Sequence, residues 1–114
     1  ESDFVELVEK ALNKELKTYK VKWSDEFCCS LVAASKGYPM KYKTGYEIKG
    51  AESIKGNLFA AGAKLVDGKL LTSGGRVLNV WAKGKTLDEA REKAYKGIKN
   101  INFNGMYYRK DIGK

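Results

Sequence analysis

Two stretches of the chain place apolar side chains at the spacing of an α-helix. In the first stretch, the charged residues fall on the face opposite six apolar positions, which are Phe4, Leu7, Val8, Ala11, Leu12 and Leu16. Ser2 stands where an N-cap belongs, so the pattern predicts an amphipathic helix from Asp3 to about Thr18. Its apolar face must cover either a sheet of this domain or a neighbouring domain.

The second helical stretch begins at Thr86 and carries Glu89 three residues later, which is the spacing of a capping box. One face of this helix is apolar and consists of Leu87, Ala90, Ala94, Ile98 and Ile101. The small side chains of its two alanines would let this helix lie close against a sheet.

Apolar runs between the two helices predict strands. Residues 27–34 form a nearly continuous apolar run, which is typical of a strand that is buried on both faces. Pro39 then ends the strand, because it cannot donate to a ladder of hydrogen bonds. Shorter strands are predicted at residues 47–50, 77–81 and 106–109.

A hairpin is predicted where Asp67-Gly68 separates two apolar runs. Gly62 lies inside the first of these runs, residues 57–66, and indicates a bulge or a close backbone contact. The order of elements predicts an α+β fold with a single, mainly antiparallel sheet of barrel-sandwich-like form. The N-terminal helix and the second helix are expected to pack on that sheet. A length of 114 residues suits one such core.

The net charge of +8 arises from 22 Lys and Arg against 14 Asp and Glu. Only three of the basic residues are arginines, and the lysines are spread through every segment without a dense block. Nucleic-acid-binding proteins usually concentrate charge on one face or helix, so we expect no nucleic-acid partner. A basic nucleic-acid-binding module, to which the seven tyrosines would add stacking surfaces, stays the less favoured alternative.

The chain contains no histidine, which excludes Ser–His–Asp triads and Cys/His zinc sites formed by this chain alone. Its two cysteines, Cys28 and Cys29, are neighbours, and a disulfide between them would need unusual geometry. We therefore expect reduced, buried thiols and a cytoplasmic location. No apolar run approaches the roughly 20 residues of a membrane helix, so no membrane partner is expected.

The stretch Ser73-Gly74-Gly75-Arg76 is the candidate for chemistry. The two glycines allow a backbone with positive φ or the close approach of another group. Arg76 presents a planar fork of donors that suits a carboxylate or a phosphate, and Ser73 with the backbone N–H groups could add a small anion-binding nest. The alternative is a tight turn between strands, with Arg76 in a structural ion pair.

Seven motifs follow one another along most of the chain. They are Ser35-Lys36-Gly37-Tyr38-Pro39, the spacing of Tyr42, Gly45, Ile48 and Gly50, Ala61-Gly62, Asp67-Gly68-Lys69, Thr72-Ser73-Gly74-Gly75-Arg76-Val77-Leu78, Ala94-Tyr95, and Tyr108-Arg109-Lys110-Asp111-Ile112-Gly113. Together they resemble the C-terminal domain of the phosphoribosylamine–glycine ligase family, also called glycinamide ribonucleotide synthetases. These are ATP-grasp enzymes of purine biosynthesis.

The resemblance divides the chain into two parts and has one departure. Residues 1–20 resemble the helix that links the end of the ATP-grasp region to this domain, and residues 21–114 resemble the C-terminal domain itself. Where the family usually has His-Ala-Gly-Thr, this chain has Ala60-Ala61-Gly62-Ala63. We therefore assign no role to Ala60 or Ala63.

The resemblance implies an enzyme that joins glycine to 5-phosphoribosylamine while ATP is cleaved to ADP and phosphate. The nucleotide and the magnesium or manganese ligands of the family lie upstream of the matching region. This fragment is accordingly expected to hold no catalytic residue, cofactor or metal ion, and to be inactive in isolation. Its expected partners are the remaining domains of the ligase and the small molecules glycine and 5-phosphoribosylamine.

Within that enzyme, the resemblance implies that this domain forms one wall of the active-site cleft. The expected substrate-binding residues are Arg76, Gly75, Gly74 and Ser73. A purely structural domain without substrate contact, in which Arg76 would be buried in an internal pair, is the second alternative. Arg109 and Asp111 are expected to form an ion pair that anchors the C-terminus.

Overall fold

The computed structural model describes residues 1–54 and 57–114. Its α-helices are α1 (Phe4–Leu12) and α2 (Leu87–Ile98), and a short 3₁₀ helix spans Ala51–Ser53. The strands are β1 (Phe27–Ser35), β2 (Leu58–Ala60), β3 (Ala63–Val66), β4 (Lys69–Thr72), β5 (Arg76–Gly84) and β6 (Met106–Tyr107). All described strand pairs are antiparallel. The α+β class predicted from the sequence is therefore confirmed.

The strands form two sheets instead of the predicted single one. Four strands lie in the order β2-β5-β1-β6, and β3 pairs only with β4 as a two-stranded hairpin. At the turn of this hairpin Asp67 and Gly68 both have positive φ, at 48° and 76°. Two successive residues with positive φ are what a tight hairpin turn requires, so the Asp-Gly prediction is confirmed.

The core lies between the four-stranded sheet and α2. Leu31 of β1 and Val80 of β5 face each other across the ladder, and both are almost fully buried. From the helix, Ala90, Ala94 and Ile98 are completely buried, which confirms the predicted close packing of its alanine face. Small side chains shorten the distance between helix and sheet, so the larger side chains of the strands fill the space between them.

The capping of α2 follows the predicted box with a shift of one residue. The Thr86 hydroxyl accepts a hydrogen bond from the Glu89 N–H at 3.2 Å. The Glu89 carboxylate in turn accepts from the N–H of Lys85 at 2.7 Å, one residue before the cap. The Lys93 ammonium beside it contributes most to lowering the pKa of Glu89, with the Lys85 N–H second.

The two faces of β1 differ, contrary to the prediction that both are buried. Leu31 and Ala33 are buried under α2, whereas Val32 between them is 39% exposed. Successive side chains of a strand point to opposite faces, and α2 covers only one of them. The same alternation leaves Cys28 exposed and Cys29 buried, and burial raises the pKa of the Cys29 thiol.

Helix α1 ends earlier than predicted and begins with a different cap. Asp3, not Ser2, accepts the capping hydrogen bond, from the Glu6 N–H at 3.0 Å. Lys14 has a positive φ of 60°, which takes the chain out of helical geometry before the predicted end at Thr18. No residue of α1 is buried, so the predicted packing of this helix on the sheet is not observed.

The remaining predicted strands are shorter than expected or reduced to single bridges. Residues 47–50 contribute only isolated bridges, from Glu47 to Leu71 and from Lys49 to Asn102. The last strand, predicted at residues 106–109, contains two residues. In the described part of the chain, no helix combines the length and apolar character that crossing a membrane would require.

Candidate functional site

Neither Gly74 nor Gly75, in the bend that leads into β5, has positive φ. The bend needs glycines for a different reason, which is the close approach of neighbouring groups. A Cβ atom at Gly75 would lie 2.1 Å from Cδ2 of the Tyr38 ring. A Cβ atom at Gly62 would lie 2.7 Å from Cα of Gly74. The chain therefore crosses itself at Gly62 and Gly74, which confirms the close backbone contact predicted for Gly62 and divides the predicted 57–66 strand into β2 and β3.

Ser35 at the end of β1 holds the bend from the other side. Its N–H donates to the carbonyl of Gly75 at 2.8 Å, and its hydroxyl donates to the carbonyl of Gly74 at 3.0 Å. Ser35 is only 4% exposed, so both hydrogen bonds are shielded from water. The N–H of Tyr38 donates back to the Ser35 carbonyl at 3.0 Å, which ties the following loop to the same residue.

Arg76 is the first residue of β5 and is exposed. None of the ion pairs formed by residues 1–54 and 57–114 includes Arg76. Arg76 is therefore neither buried nor paired within the described residues, contrary to the internal ion pair expected for a purely structural domain. The guanidinium group is available to an anion, and its planar fork suits a bidentate contact with a carboxylate or a phosphate.

A cleft of about 240 Å³ lies beside Arg76 on the face of the sheet that α2 does not cover. Most of its wall is apolar or aromatic, and two arginines contribute to it. The lining residues are Ser30, Leu31, Val32, Ala34, Tyr38, Arg76, Tyr107, Arg109 and Ile112. Apolar walls reduce the local dielectric constant, which strengthens the attraction between an arginine and a bound anion.

The predicted ion pair of Arg109 and Asp111 is present at the rim of this cleft. Nε of Arg109 donates to Oδ1 of Asp111 at 2.9 Å, and Nη2 donates to Oδ2 at 2.5 Å. The hydrogen bonds from Arg109 lower the pKa of Asp111 to about 2, and the pair raises the pKa of Arg109. Both side chains are exposed and only two residues apart, so the pair contributes little to holding the C-terminus.

The contact that ties the C-terminal segment to α2 was missed from the sequence. The hydroxyl of Tyr95 donates to the Arg109 carbonyl at 3.0 Å and accepts from the Ile112 N–H at 3.1 Å. One side chain thus holds the backbone on both sides of Asp111. The Ala94-Tyr95 motif was the signal for this contact, because a tyrosine next to a buried alanine in a helix lies at the edge of the core.

Of the four predicted site residues, only Arg76 lines the cleft. Ser73 is exposed, and its N–H is engaged with the Gly62 carbonyl at 2.7 Å. Gly74 and Gly75 lie behind the cleft, where they shape the bend. Tyr38 and Arg109 line it and were not among the predicted site residues.

The loop after β1 also borders a second, larger cavity of about 450 Å³. Three lysines and two tyrosines contribute to its wall, namely Lys36, Lys41, Lys43, Tyr42 and Tyr46. The described residues contain no group of three or more His, Cys, Asp or Glu that could hold a metal ion. The chemistry available to both cavities is therefore the binding of anions and of apolar or aromatic groups.

The fold and the cleft define a small α+β domain with arginines on the open face of its main sheet. A sequence comparison identifies its family. The chain belongs to the family described as "Phosphoribosylglycinamide synthetase, C domain", whose sequence model matches residues 28–114. This confirms the family resemblance. The match begins inside the predicted domain of residues 21–114, and the division from residues 1–20 stays a prediction.

The chain is similar to curated proteins from several organisms. It is 54% identical over 113 residues to phosphoribosylamine–glycine ligase of Clostridium acetobutylicum, covering 99% of this chain and 27% of that protein. It is 43% identical over 116 residues to the trifunctional purine biosynthetic protein adenosine-3 of Gallus gallus, covering 98% of this chain and 12% of that protein.

A solved structure supports the fold independently. The crystal structure of phosphoribosylamine–glycine ligase from Thermotoga maritima matches with a TM-score of 0.76 at 37% identity, over 91% of this chain and 27% of that one. The chain thus spans about a quarter of the length of the single-function ligases that it matches. The names of its relatives identify them as a ligase and a purine biosynthetic protein.

Proposed function

We propose that this domain forms one wall of the active-site cleft of a phosphoribosylamine–glycine ligase, and that Arg76 binds a substrate anion there. The anion is either the phosphate of 5-phosphoribosylamine or the carboxylate of glycine. The observation that carries this proposal is the exposed guanidinium of Arg76, which lines an apolar cleft and forms no ion pair with the described residues. An unpaired cation in such a place is ready for a ligand.

The role of Arg76 in this reaction is binding and orientation. A fixed guanidinium holds an anionic group in one place, so the reacting atoms of the two substrates meet more often in the productive geometry. The apolar side chains of the cleft, including Val32 and Tyr107, exclude water from one side of the bound molecule.

We propose that ATP and magnesium or manganese bind to the remaining part of the ligase. The described residues offer no cluster of carboxylates suited to a metal ion, so they do not fit the family's cofactor. No chemical step is assigned to a group in this chain. We propose that the domain alone is inactive and depends on the other domains for catalysis.

The part of the open face away from the cleft is proposed to pack against those other domains. Phe59, which does not line the cleft, is 61% exposed. Phe59 stacks on Trp81 with ring centroids 6.1 Å apart, which gives this face a flat aromatic surface. Exposed aromatic and aliphatic side chains on one face are typical of a surface that a partner covers.

The test replaces Arg76 in the full-length ligase. For Arg76→Ala we expect kcat/KM to fall by about 10- to 100-fold, mainly through a higher KM for the substrate whose anion is bound, because a hydrogen bond to a charged group contributes about 1.5–3 kcal/mol. Arg76→Lys keeps the charge without the planar fork and should lie between Arg76→Ala and the parent.

Lys96→Ala is the matched control, since Lys96 is an exposed cation on α2, away from the residues that line the cleft. It should leave all kinetic constants unchanged. If Arg76→Ala folds and keeps the parent kinetics, the domain is purely structural and the proposal is wrong.

A further inference from the structure

We infer that Ser35 and Tyr38 are positioning residues that hold Arg76 in the cleft. The inference rests on the proposed function and names the groups that fix the position of Arg76 relative to a bound anion. The Arg76 side chain is long and exposed, and no described ion pair restrains it. The direction from which such an arginine reaches a ligand is set by its backbone.

Three successive carbonyls at and before Arg76 are each engaged by a donor. Ser35 donates its hydroxyl to the Gly74 carbonyl at 3.0 Å and its N–H to the Gly75 carbonyl at 2.8 Å. The carbonyl of Arg76 accepts from the Gly62 N–H, also at 2.8 Å. The peptide planes on both sides of the Arg76 Cα are thereby fixed, which is unusual for a segment with two adjacent glycines.

Tyr38 supplies the fourth restraint and also part of the cleft wall. Its ring occupies the space where any other residue at position 75 would carry a Cβ atom, 2.1 Å from Cδ2 and 2.9 Å from Cε2. The ring is 40% exposed and lines the cleft together with Arg76. A single side chain therefore packs beneath the bend and borders the space that the guanidinium enters.

Ser35 and Tyr38 are linked to one another as well. The N–H of Tyr38 donates to the Ser35 carbonyl at 3.0 Å, so the residue that binds the two glycine carbonyls also sets the start of the loop that carries the ring. Loss of the Tyr38 ring, or of the Ser35 hydroxyl that binds the Gly74 carbonyl, would leave the charge of Arg76 intact and remove a restraint on where it is held.

The experiment measures steady-state kinetics of the full-length ligase with each substrate varied in turn. For Tyr38→Leu we expect KM to rise by about tenfold for the substrate that Arg76→Ala affects, with kcat and the KM for ATP nearly unchanged; a displacement of about 1 Å in a binding geometry can cost up to roughly 100-fold. Tyr38→Phe retains the ring and should behave like the parent. Ser35→Ala should shift the same KM in the same direction.

Met40→Ala is the matched control. Met40 lies in the same loop with 81% exposure and lines neither of the two cavities. It should leave the substrate KM values at the parent level. Thermal unfolding of each variant separates misplacement of Arg76 from loss of the fold.

Should Tyr38→Leu prove too unstable to assay, Gly75→Ala tests the same contact from the other side, because its Cβ would displace the ring. It should raise the same KM. The inference is overturned if Arg76→Ala raises a substrate KM while folded Tyr38→Leu, or Gly75→Ala in its place, leaves that KM unchanged. If Arg76→Ala has no effect, the proposed function itself has failed and no residue positions a binding group there.

Discussion

The two faces of the four-stranded sheet are formed by the same strands and have opposite surroundings. On one face, Leu31 and Val80 are 1% exposed beneath α2. On the other, Val32 is 39% exposed and Phe59 is 61% exposed. The covered face carries the free energy of folding. The open face carries the cleft with Arg76 and Arg109. Under the proposed function, the alternation of side chains along β1 and β5 would separate the residues for folding from those for binding.

The largest expected difference between the faces is in stability. Leu31→Ala removes a buried side chain and leaves a cavity between β1 and α2, so we expect the free energy of unfolding to fall by about 2–5 kcal/mol. Val32→Ala is the neighbouring control on the open face and should cost less than about 1 kcal/mol. Urea denaturation of the two variants measures both values. Equal losses would show that the faces do not differ in this way.

A smaller loss of stability is expected from a side chain at Gly62, where the chain crosses itself next to Gly74. A Cβ atom in Gly62→Ala would lie 2.5 Å from the carbonyl oxygen of Arg76, so backbone must move, at a cost of about 1–3 kcal/mol. Gly97→Ala is the control, because its Cβ would meet only the Val80 side chain, at 3.1 Å, and alanine favours the helix.

Thermal unfolding distinguishes the two glycine variants. Gly62→Ala should lower the Tm clearly, while Gly97→Ala should change it little. A Gly62→Ala variant as stable as the parent would mean that the bend before Arg76 adjusts freely.

The smallest loss of stability is expected at the ion pair of Arg109 and Asp111 on the rim of the cleft. This loss depends on pH. Because the pKa of Asp111 is lowered from 3.8 to about 2 by its hydrogen bonds to Arg109, its contribution to stability is complete above the unfolded value. It is lost as the pH falls from about 4 to about 2. Asp111→Asn should remove this part of the pH dependence, measured as Tm across that range. An identical acid profile in the variant would show that the pair has no influence on folding.

Local patterns predicted the local elements of this fold. Thr86 and Glu89 identified the start of α2, Ala90 and Ala94 identified its buried face, and Asp67-Gly68 identified the hairpin turn. Each of these features depends on residues within a few positions of one another. Their geometry is therefore set by short-range sterics and hydrogen bonding, which a single sequence contains.

Features that depend on distant residues were predicted less well. The apolar run of residues 27–34 does not say which face of β1 has a covering helix, and here only one has. Gly74 and Gly75 marked a bend, but the Tyr38 ring beneath it belongs to another loop. Arg76 was predicted from its chemistry, whereas Arg109 reaches the same cleft only through the pairing of β6 with β1.

Because the chain crosses itself at Gly62 and Gly74, the length of the β3–β4 hairpin does not affect the geometry of the bend before Arg76. The chain enters the hairpin of β3 and β4 after Gly62 and returns at Ser73, whose N–H donates to the Gly62 carbonyl. Residues added at the Asp67-Gly68 tip lengthen the hairpin beyond the crossing and leave Arg76 where it is. We expect insertions at the exposed tip to be tolerated, whereas a Cβ atom at Gly62 would lie within 3 Å of backbone atoms of Arg76 and Gly74.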